Sequence, residues 1–407
     1  MRYNLVKPPM SALCCLLAGL SLLLGDFAQA ASVATLGGGD PNVSPKYQGY
    51  RNGTTLTQAL FRNPCGLAID KTGNYLLVAD RDNNTVRLVD FTFTPSITAT
   101  LLTMTNYVPT TNLFSKPVGV AIDLSYNIFV LNRGNGTNGY VLQFDVNGEL
   151  IATNLNKITN AAGMAVDFNT NIFVTASNRV FKYSVTTGVK TQIAQITASN
   201  CSLQGITVKR DGQLAVCDAG RNGILFINPN TGVVTTNAGF HGKGDFITVN
   251  NSSISNTAKF FQPYGVAETG DGTLIVSDFG NHRLKAVLTS GAVTNISGVA
   301  SNYWGGTFPG WYDGTVFLPD TIAPNAQSRQ PNGIAYAYDG SIYVSEDFYH
   351  TIRKITGTGL ALLPPPPQPA PTAPINLAVT TNFGTVTITW TAVSGATNYN
   401  VKRANST

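Results

Sequence analysis

Residues 263–297 read PYGVAETGDGTLIVSDFGNHRLKAVLTSGAVTNIS and contain four short apolar runs separated by turn residues. The Asp-Gly pair at 271–272 between the first two runs is a hairpin signal, and the runs are too short for helices of ordinary length. The segment therefore predicts a four-stranded antiparallel sheet. Its apolar runs are typical of strands that are buried on both faces.

The same rhythm of glycine, strand, turn, strand and polar residue occurs six times along the 407-residue chain. Successive repeats are separated by between 42 residues (163 to 205) and 68 residues (265 to 333), the spacing of one propeller blade with insertions. A single four-stranded sheet cannot bury both of its faces, whereas blades stacked around an axis bury each face against a neighbour. The repeats begin at Gly66, Gly119, Gly163, Gly205, Gly265 and Gly333.

The ends of the repeat region indicate how the ring closes. The sixth repeat stops after its third strand, Thr351–Thr356, whereas Ala31–Leu36 resembles the fourth strand of an earlier repeat. We therefore predict an all-β, six-bladed propeller in which the N-terminal strand pairs beside Thr351–Ile355 and removes a free sheet edge.

These repeats resemble the NHL family of β-propellers over roughly residues 31–355. Ser277–Leu284, SDFGNHRL, is similar to the family's name motif, and a Pro-x-Gly pattern precedes the repeats at Pro64, Pro263 and Pro331. Repeats two to four lack the histidine of the motif. The resemblance implies a six-bladed ring whose ligands bind on the face that carries the loops between blades.

The first thirty residues are predicted to be a cleaved signal peptide, with basic Arg2 and Lys7, an apolar run over 13–24 and the cleavage pattern Ala28-Gln-Ala30. An uncleaved anchor is the alternative, but the run is shorter than the roughly 20 residues of a spanning helix. Cleavage removes two basic residues and one acidic residue and leaves 24 against 20, a scattered charge of +4. We therefore expect a secreted or cell-surface protein that does not bind nucleic acid.

Three cysteines follow the leader, Cys65, Cys201 and Cys217, and an odd number leaves at least one unpaired within the chain. Cys201 and Cys217 lie in one repeat and are the first candidates for a disulfide. Three small buried apolar side chains are the alternative. The spacing is not that of a zinc site.

Composition changes after Leu362. The predicted domains are the signal peptide over 1–30, the propeller over 31–362, a proline-rich linker over 363–373 and an incomplete fibronectin type III domain over 374–407. The last assignment is a resemblance that rests on the apolar positions Leu377, Trp390, Tyr399 and Val401. The remaining residues are too few for the seven strands of such a sandwich.

Three acid–base pairs join the second strand of a blade to its third and are predicted as Asp80/Arg87, Asp278/Arg283 and Asp347/Arg353. A carboxylate in such a pair could act as a general acid or base. Recurrence in three blades favours a structural role, in which the acid accepts backbone N–H bonds and faces the arginine.

The predicted ligand face carries all three histidines of the chain, together with exposed aromatic side chains that could stack on a sugar or anchor a peptide. Converging imidazoles could hold zinc, and NHL-type peptide-amidating lyases are zinc enzymes, although their ligand set cannot be aligned here. Hairpin packing is the alternative for the histidines, and packing between blades is the alternative for Trp311, whose segment is echoed at residues 50–53. The candidates are His241, Tyr264, His282, Trp304, Trp311 and His350.

Two functions follow from this reading. The favoured one is a monomeric, non-enzymatic extracellular module without a cofactor that binds a protein, peptide or glycan and is displayed with fibronectin type III domains. The alternative is a lyase or hydrolase that uses zinc or calcium in the central channel, similar to peptide-amidating lyases or gluconolactonases. Glu268 and Glu346 fall within the recurring segments, and neither lies in a matching motif.

Overall fold

The computed structural model describes residues 31–38, 48–54, 58–93, 96–100, 113–145, 148–240, 242–244, 258–297, 314–316, 328–364, 375–382 and 385–391. Within these residues the chain forms six antiparallel sheets that follow one another as blades, and a separate two-stranded hairpin. The predicted all-β, six-bladed propeller is confirmed.

The strands follow the predicted repeats. The N-terminal strand β1 is Ala31–Gly37, and blade 1 contains β2 (Gly53–Thr54), β3 (Pro64–Ile69), β4 (Tyr75–Asp80), β5 (Thr85–Asp90) and β6 (Ile97–Thr100). Blade 2 contains β7 (Pro117–Ile122), β8 (Ile128–Asn132), β9 (Gly139–Phe144) and β10 (Leu150–Ile158). Blade 3 contains β11 (Ala161–Val166), β12 (Asn171–Ala176), β13 (Arg179–Ser184) and β14 (Lys190–Gln195).

The second half of the ring has the same arrangement. Blade 4 contains β15 (Leu203–Val208), β16 (Leu214–Asp218), β17 (Gly223–Ile227) and β18 (Val234–Gly239). Blade 5 contains β19 (Pro263–Glu268), β20 (Leu274–Asp278), β21 (Arg283–Val287) and β22 (Val293–Ser297). Blade 6 contains β23 (Gly314–Val316), β24 (Pro331–Tyr336), β25 (Ile342–Glu346) and β26 (Thr351–Thr356), and single 3-10 turns span Arg81–Asn83 and Phe279–Asn281.

The apolar runs become strands because each blade is covered on both faces. The second strand of a blade is deeply buried, and all five residues of β8, β16, β20 and β25 are buried. The outer strand faces water, as in β14, where four of six residues are exposed. The core therefore lies between neighbouring blades and not in a single layer.

Strand β1 closes the ring as the sequence predicts. It pairs antiparallel with β26, with Ser32 opposite Thr356 and Val33 opposite Ile355, so the first described strand completes the last blade. Val33 is buried among apolar side chains of blades 5 and 6. The short strand β23 then adds outside β1, and β2 adds to the outer strand of blade 1 in the same way.

The repeated glycines lie where blades approach each other most closely at the axis. A Cβ atom on Gly333 would lie 2.1 Å from the carbonyl oxygen of Cys65 in blade 1, and one on Gly265 would lie 2.2 Å from that of Asn332 in blade 6. Gly163 and Gly205 face the next blade at similar distances. Glycine recurs at this position because a side chain would separate adjacent blades.

The chain divides into a unit that ends at Pro364 and a second unit that begins at Pro365. In the second unit β27 (Ile375–Asn382) and β28 (Thr385–Thr391) form an antiparallel hairpin. The fibronectin assignment stays a prediction, and so do the signal peptide and linker, which lie outside the described residues except for 363–364. No helix among the described residues has the length and hydropathy needed to cross a membrane.

Candidate functional site

The six inner strands surround a narrow axial cavity of about 90 Å³. Its wall consists mainly of backbone from the repeated glycines and of apolar side chains such as Leu67, Val120 and Met164. Such a wall offers few hydrogen-bonding side chains. Charged, hydroxyl and thiol side chains lie at one end of the cavity. At this end the inner strands begin and the hairpins between second and third strands turn.

We define the channel mouth by Cys65, Arg81, Arg133, Tyr264 and Asp347, which come from blades 1, 2, 5 and 6. Arg81 and Asp347 each follow the end of a second strand, and an Arg81 nitrogen lies 3.2 Å from a carboxylate oxygen of Asp347. This ion pair joins blade 1 to blade 6 while both side chains remain about one fifth exposed. The pair therefore presents charge to solvent beside the axis.

Electrostatics connect the remaining members of the channel mouth to this pair. Burial raises the pKa of the Tyr264 hydroxyl, and the nearby Asp347 carboxylate raises it further, while Arg81 and Arg133 oppose the increase. The Tyr264 ring stacks on Phe279 with the ring centroids 4.2 Å apart. Tyr264 is therefore a neutral aromatic donor with a fixed ring.

Burial changes the ionisation of two groups at the channel mouth. Burial raises the pKa of the Cys65 thiol to about 12, so the thiol stays protonated at physiological pH. Burial also raises the pKa of Asp347, and the adjacent Arg81 guanidinium opposes that change. The Cys65 sulfur already contacts the backbone oxygens of Ala79 and Pro117, so of these two groups it is the paired Asp347 carboxylate that can accept hydrogen bonds from a polar ligand.

A second aromatic group lies on the hairpin of blade 6. The guanidinium carbon of Arg329 lies 3.3 Å from the centroid of the Phe348 ring, which is 45% exposed, and Tyr349 meets Phe348 edge to face. This group extends the aromatic surface of the loop-bearing face. The repeat pattern did not indicate it, since these residues are particular to one blade.

His282 and His350 occupy equivalent positions that join neighbouring blades. Nδ1 of His350 accepts the backbone N–H of Asn63 at 3.0 Å, and Nδ1 of His282 accepts that of Gln330 at 3.1 Å. Each bond links the hairpin of one blade to the loop that leads into the next. Asparagine makes the same contact in two other blades. The side-chain oxygen of Asn84 accepts the backbone N–H of Lys116, and that of Asn222 accepts the backbone N–H of Gln262.

The backbone explains which residues can make these bonds. His282 and His350 have φ values of 60° and 59°, and Asn84 and Asn222 have φ values of 50° and 59°. This left-handed conformation is most accessible to asparagine, aspartate and histidine among residues with a side chain. Either asparagine or histidine can therefore occupy this position, because both adopt a positive φ and both have a side-chain atom that accepts the backbone N–H.

The environment of both histidines favours the neutral imidazole. Burial lowers the pKa of His350 to about 4, with Asp82 opposing and the Arg62 and Arg81 guanidinium groups reinforcing the effect. Burial likewise lowers the pKa of His282, and Arg329 adds to it. A neutral ring is the form that can accept a backbone N–H.

The acid–base pairs recur with a constant separation of seven residues. The predicted pair Asp80–Arg87 is present at 3.1 Å with both side chains fully buried. Two predicted partners are wrong, because Asp278 contacts Lys285 at 2.7 Å instead of Arg283, and Arg353 contacts Glu346 at 3.5 Å. The base is always the third residue of the third strand.

Asp347 therefore belongs to the channel mouth, since it lies one residue beyond the acid of blade 6. The acids serve the structural role that the sequence favours. Asp80 accepts the backbone N–H of Arg62, and Asp278 accepts that of Phe261, both at 2.7 Å. Burial raises the pKa of Asp80 to about 6, although its hydrogen bonds and the Arg87 guanidinium lower it.

The suggested Cys201–Cys217 disulfide is absent, and Cys65, Cys201 and Cys217 are all free thiols. Cys217 lies in the second strand of blade 4 and points at the neighbouring blade, with its sulfur 3.5 Å from the carbonyl oxygen of Gly265. Cys65 and Cys217 are buried, whereas Cys201 is partly exposed. Two of the three thus behave as the small buried side chains of the alternative reading.

A metal site gains no support from the described residues. None of their His, Cys, Asp and Glu side chains form a group of three or more that could hold an ion. His282 and His350 direct Nδ1 at backbone N–H groups of neighbouring blades. The third candidate ligand, His241, lies outside the described residues, as do Trp304 and Trp311.

No protein-family model and no curated protein sequence matches the chain. Among solved structures it is similar to a Bacteroides thetaiotaomicron protein of unknown function, with 20% identity and a TM-score of 0.63 over 80% of this chain and 76% of that one. An auxiliary nutrient binding protein from Bacteroides ovatus is similar at 19% identity and a TM-score of 0.63, again over 80% and 76% of the two chains. A streptogramin B lyase is similar at 14% identity and a TM-score of 0.52 over 82% and 99%.

The chain is thus a six-bladed β-propeller protein. Identities at or below 20% establish the fold, and the chemistry must be argued from the residues of this chain.

Proposed function

We propose that this protein is an extracellular, non-enzymatic binding module that holds a polar ligand, a peptide or a glycan, at the channel mouth. The observation that carries the proposal is the convergence of the partly exposed Arg81–Asp347 pair with Arg133 and the stacked Tyr264 at one end of the axis. These groups supply a cation, an anion and an aromatic hydroxyl within one rigid ring. The predicted signal peptide and the resemblance of the C-terminal residues to a fibronectin type III domain support display outside the cell.

Two further considerations support binding over catalysis. The groups that could react at the channel mouth are in unreactive states, since the pKa of the Cys65 thiol is raised to about 12 and Asp347 is paired. A similar propeller from Bacteroides ovatus is described as an auxiliary nutrient binding protein. For this chain we infer capture of a soluble polar nutrient or of a surface glycan.

A direct test is to measure binding of a panel of neutral and charged oligosaccharides and short peptides by isothermal titration calorimetry. Tyr264→Leu and Arg81→Gln should each weaken any wild-type interaction about tenfold or more, the usual effect of removing a stacking or charge-assisted contact. Phe168→Leu is the matched control, because Phe168 is 61% exposed on a hairpin at the opposite end of blade 3.

Metal analysis of the purified protein addresses the alternative of a metal-dependent lyase or hydrolase. Stoichiometric zinc or calcium that is lost on His282→Ala or His350→Ala, together with turnover of a bound ligand, would contradict the binding-module proposal. Binding that depends on Tyr264 and Arg81 without turnover is the expected result.

A further inference from the structure

A groove of about 370 Å³ lies between blades 2 and 3, away from the channel mouth. Its size is within the range of small-molecule sites and about four times that of the axial cavity. The end of β10 forms one side. The hairpin after β12, the strand β13 and the start of β14 form the other.

The charged residues that line the groove all have the same sign. They are Lys157 from blade 2 and Arg179 and Lys190 from blade 3, and all three are exposed. None of the described residues that line the groove is acidic, and none of the ion pairs among the described residues uses these three cations. The cations therefore face solvent across a shared concave surface, and no counter-charge for them lies among the described residues.

Phe181 gives the groove an aromatic floor. Its ring is partly buried against the core shared by blades 2 and 3, and Nζ of Lys190 lies 5.9 Å from its centroid. Thr159 and Asn178 add hydroxyl and amide groups to the lining. Cations with hydrogen-bonding groups around one aromatic ring are suited to a ligand that has both acidic groups and an apolar ring face.

The spacing of the cations favours an elongated ligand. Lys190 pairs with Tyr183, four residues after Arg179 on β13, so the backbone positions of the two cations are separated by about 13 Å along the strands. An oligomer of acidic units can place one charged group beside each cation along this span. Phe181 lies between them along the strand.

We propose that this groove is a second binding site and that it takes an acidic oligosaccharide, whose carboxylate or sulfate groups pair with Arg179, Lys190 and Lys157 while a sugar ring stacks on Phe181. The proposal does not depend on a ligand at the channel mouth. It gives the protein two polar-ligand sites, one at the axis and one between blades 2 and 3.

The test is calorimetric titration of the full chain with tetragalacturonate, a sulfated heparin tetrasaccharide and neutral maltotetraose. Both acidic sugars are candidates, and the one that binds with the higher affinity shows whether carboxylate or sulfate groups are preferred. Arg179→Gln and Lys190→Gln should each weaken binding about tenfold, which corresponds to about 1.4 kcal/mol, since each removes a charge-assisted contact with the ligand. Maltotetraose should not bind, and affinity should fall as sodium chloride is raised.

Lys182→Gln is the matched control, because Lys182 follows Phe181 and so projects from the opposite face of β13. It removes the same charge and should change affinity less than twofold. Tyr264→Leu should also leave this binding unchanged. The two proposals, a site in the groove and a site at the channel mouth, can therefore fail independently. Equal loss in Lys182→Gln and Arg179→Gln, no binding of either acidic sugar, or equally tight binding of inorganic tripolyphosphate would each overturn the proposal.

Discussion

At the scale of single residues, the buried acid–base pairs show how one position can take different residues. In blade 1 the Arg87 guanidinium contacts Asp80 and donates to the backbone oxygens of Leu60 and Arg51 at 2.8 and 2.7 Å. In blade 5 the equivalent Lys285 contacts Asp278 and donates to the backbone oxygen of Lys259 at 2.8 Å. The base therefore contacts two groups: the acid of its own blade and the backbone of the loop that precedes that blade.

Arg87→Met should lower the free energy of unfolding by about 3–5 kcal/mol, because it leaves the Asp80 carboxylate buried without its counter-charge. Arg87→Lys should cost clearly less, since blade 5 uses lysine at the same position. Urea denaturation of the two variants measures the difference. Equal losses would show that the guanidinium geometry and not the charge holds the loop.

His350 should make the stability of the protein depend on pH. Its pKa is about 4 in the folded protein and about 6.5 in an unfolded chain, so the unfolded state takes up the proton first as the pH falls. The stabilisation is fully present above about pH 6.5 and is lost as the pH falls from there to 4. We expect a loss of about 1–2 kcal/mol, below the full linkage value because the ring is partly solvated.

His350→Asn isolates this effect, because asparagine accepts the equivalent N–H bond in blades 1 and 4. The variant should match the wild type near pH 7 and become the more stable of the two near pH 4.5. Comparison of the two proteins removes the contribution of Asp80, whose raised pKa acts in the opposite direction over part of the same range. Parallel pH profiles would contradict a role for the imidazole.

At the scale of elements, the contact between neighbouring inner strands should tolerate no side chain at the repeated glycine. Gly333→Ala would place a methyl group against the backbone oxygen of Cys65, so blade 6 must move away from blade 1. We expect destabilisation of about 3 kcal/mol, at the upper end of overpacking effects. Thermal unfolding measures it.

Gly212→Asn is the control for this substitution. Gly212 lies in a hairpin with φ of +83°, a conformation that asparagine can adopt, and a Cβ atom built there would have no neighbour within 4 Å. The control should change stability by less than about 1 kcal/mol. A similar loss in both variants would mean that glycine flexibility, and not the approach of the blades, sets the cost.

The sequence was sufficient for the elements because their signals are local. Glycine, a buried run, a turn and a second buried run recur within about fifteen residues, and each hairpin closes on itself. The acid–base partners were misassigned because Arg283 and Lys285 lie on the same face of β21. Arg283 is directly opposite Asp278, whereas the acid contacts Lys285, two residues further along the strand. The groove could not be predicted, because Lys157 and Arg179 meet only when blades 2 and 3 stack.

At the scale of the whole molecule, the pairing of β1 with β26 closes the ring of blades. Blades 5, 6 and 1 share apolar clusters in which Val33, Ile352 and Ile355 are buried. The pairing unites residues more than 300 positions apart, so its loop-closure entropy is the largest in the fold. Opening this one contact exposes a sheet edge and the adjacent core together.

A covalent link across this pairing should therefore stabilise the whole ring. Ser32 and Thr356 are opposite each other, and their hydroxyl oxygens are 2.9 Å apart at an exposed position. In the double variant Ser32→Cys with Thr356→Cys, a disulfide would close nearly the entire propeller. We expect a gain of about 2–4 kcal/mol over the same protein under reducing conditions, since a long loop loses the most unfolded-state entropy.

The two single variants are the controls, and Cys65 and Cys217 should not interfere because they are buried. Guanidinium denaturation with and without dithiothreitol measures the gain, and mass spectrometry of a proteolytic digest verifies the 32–356 link. If the ring opens first between β1 and β26, the disulfide should also slow unfolding, because the earliest separation is prevented. A formed disulfide that leaves the unfolding rate unchanged would place the first opening at another blade interface.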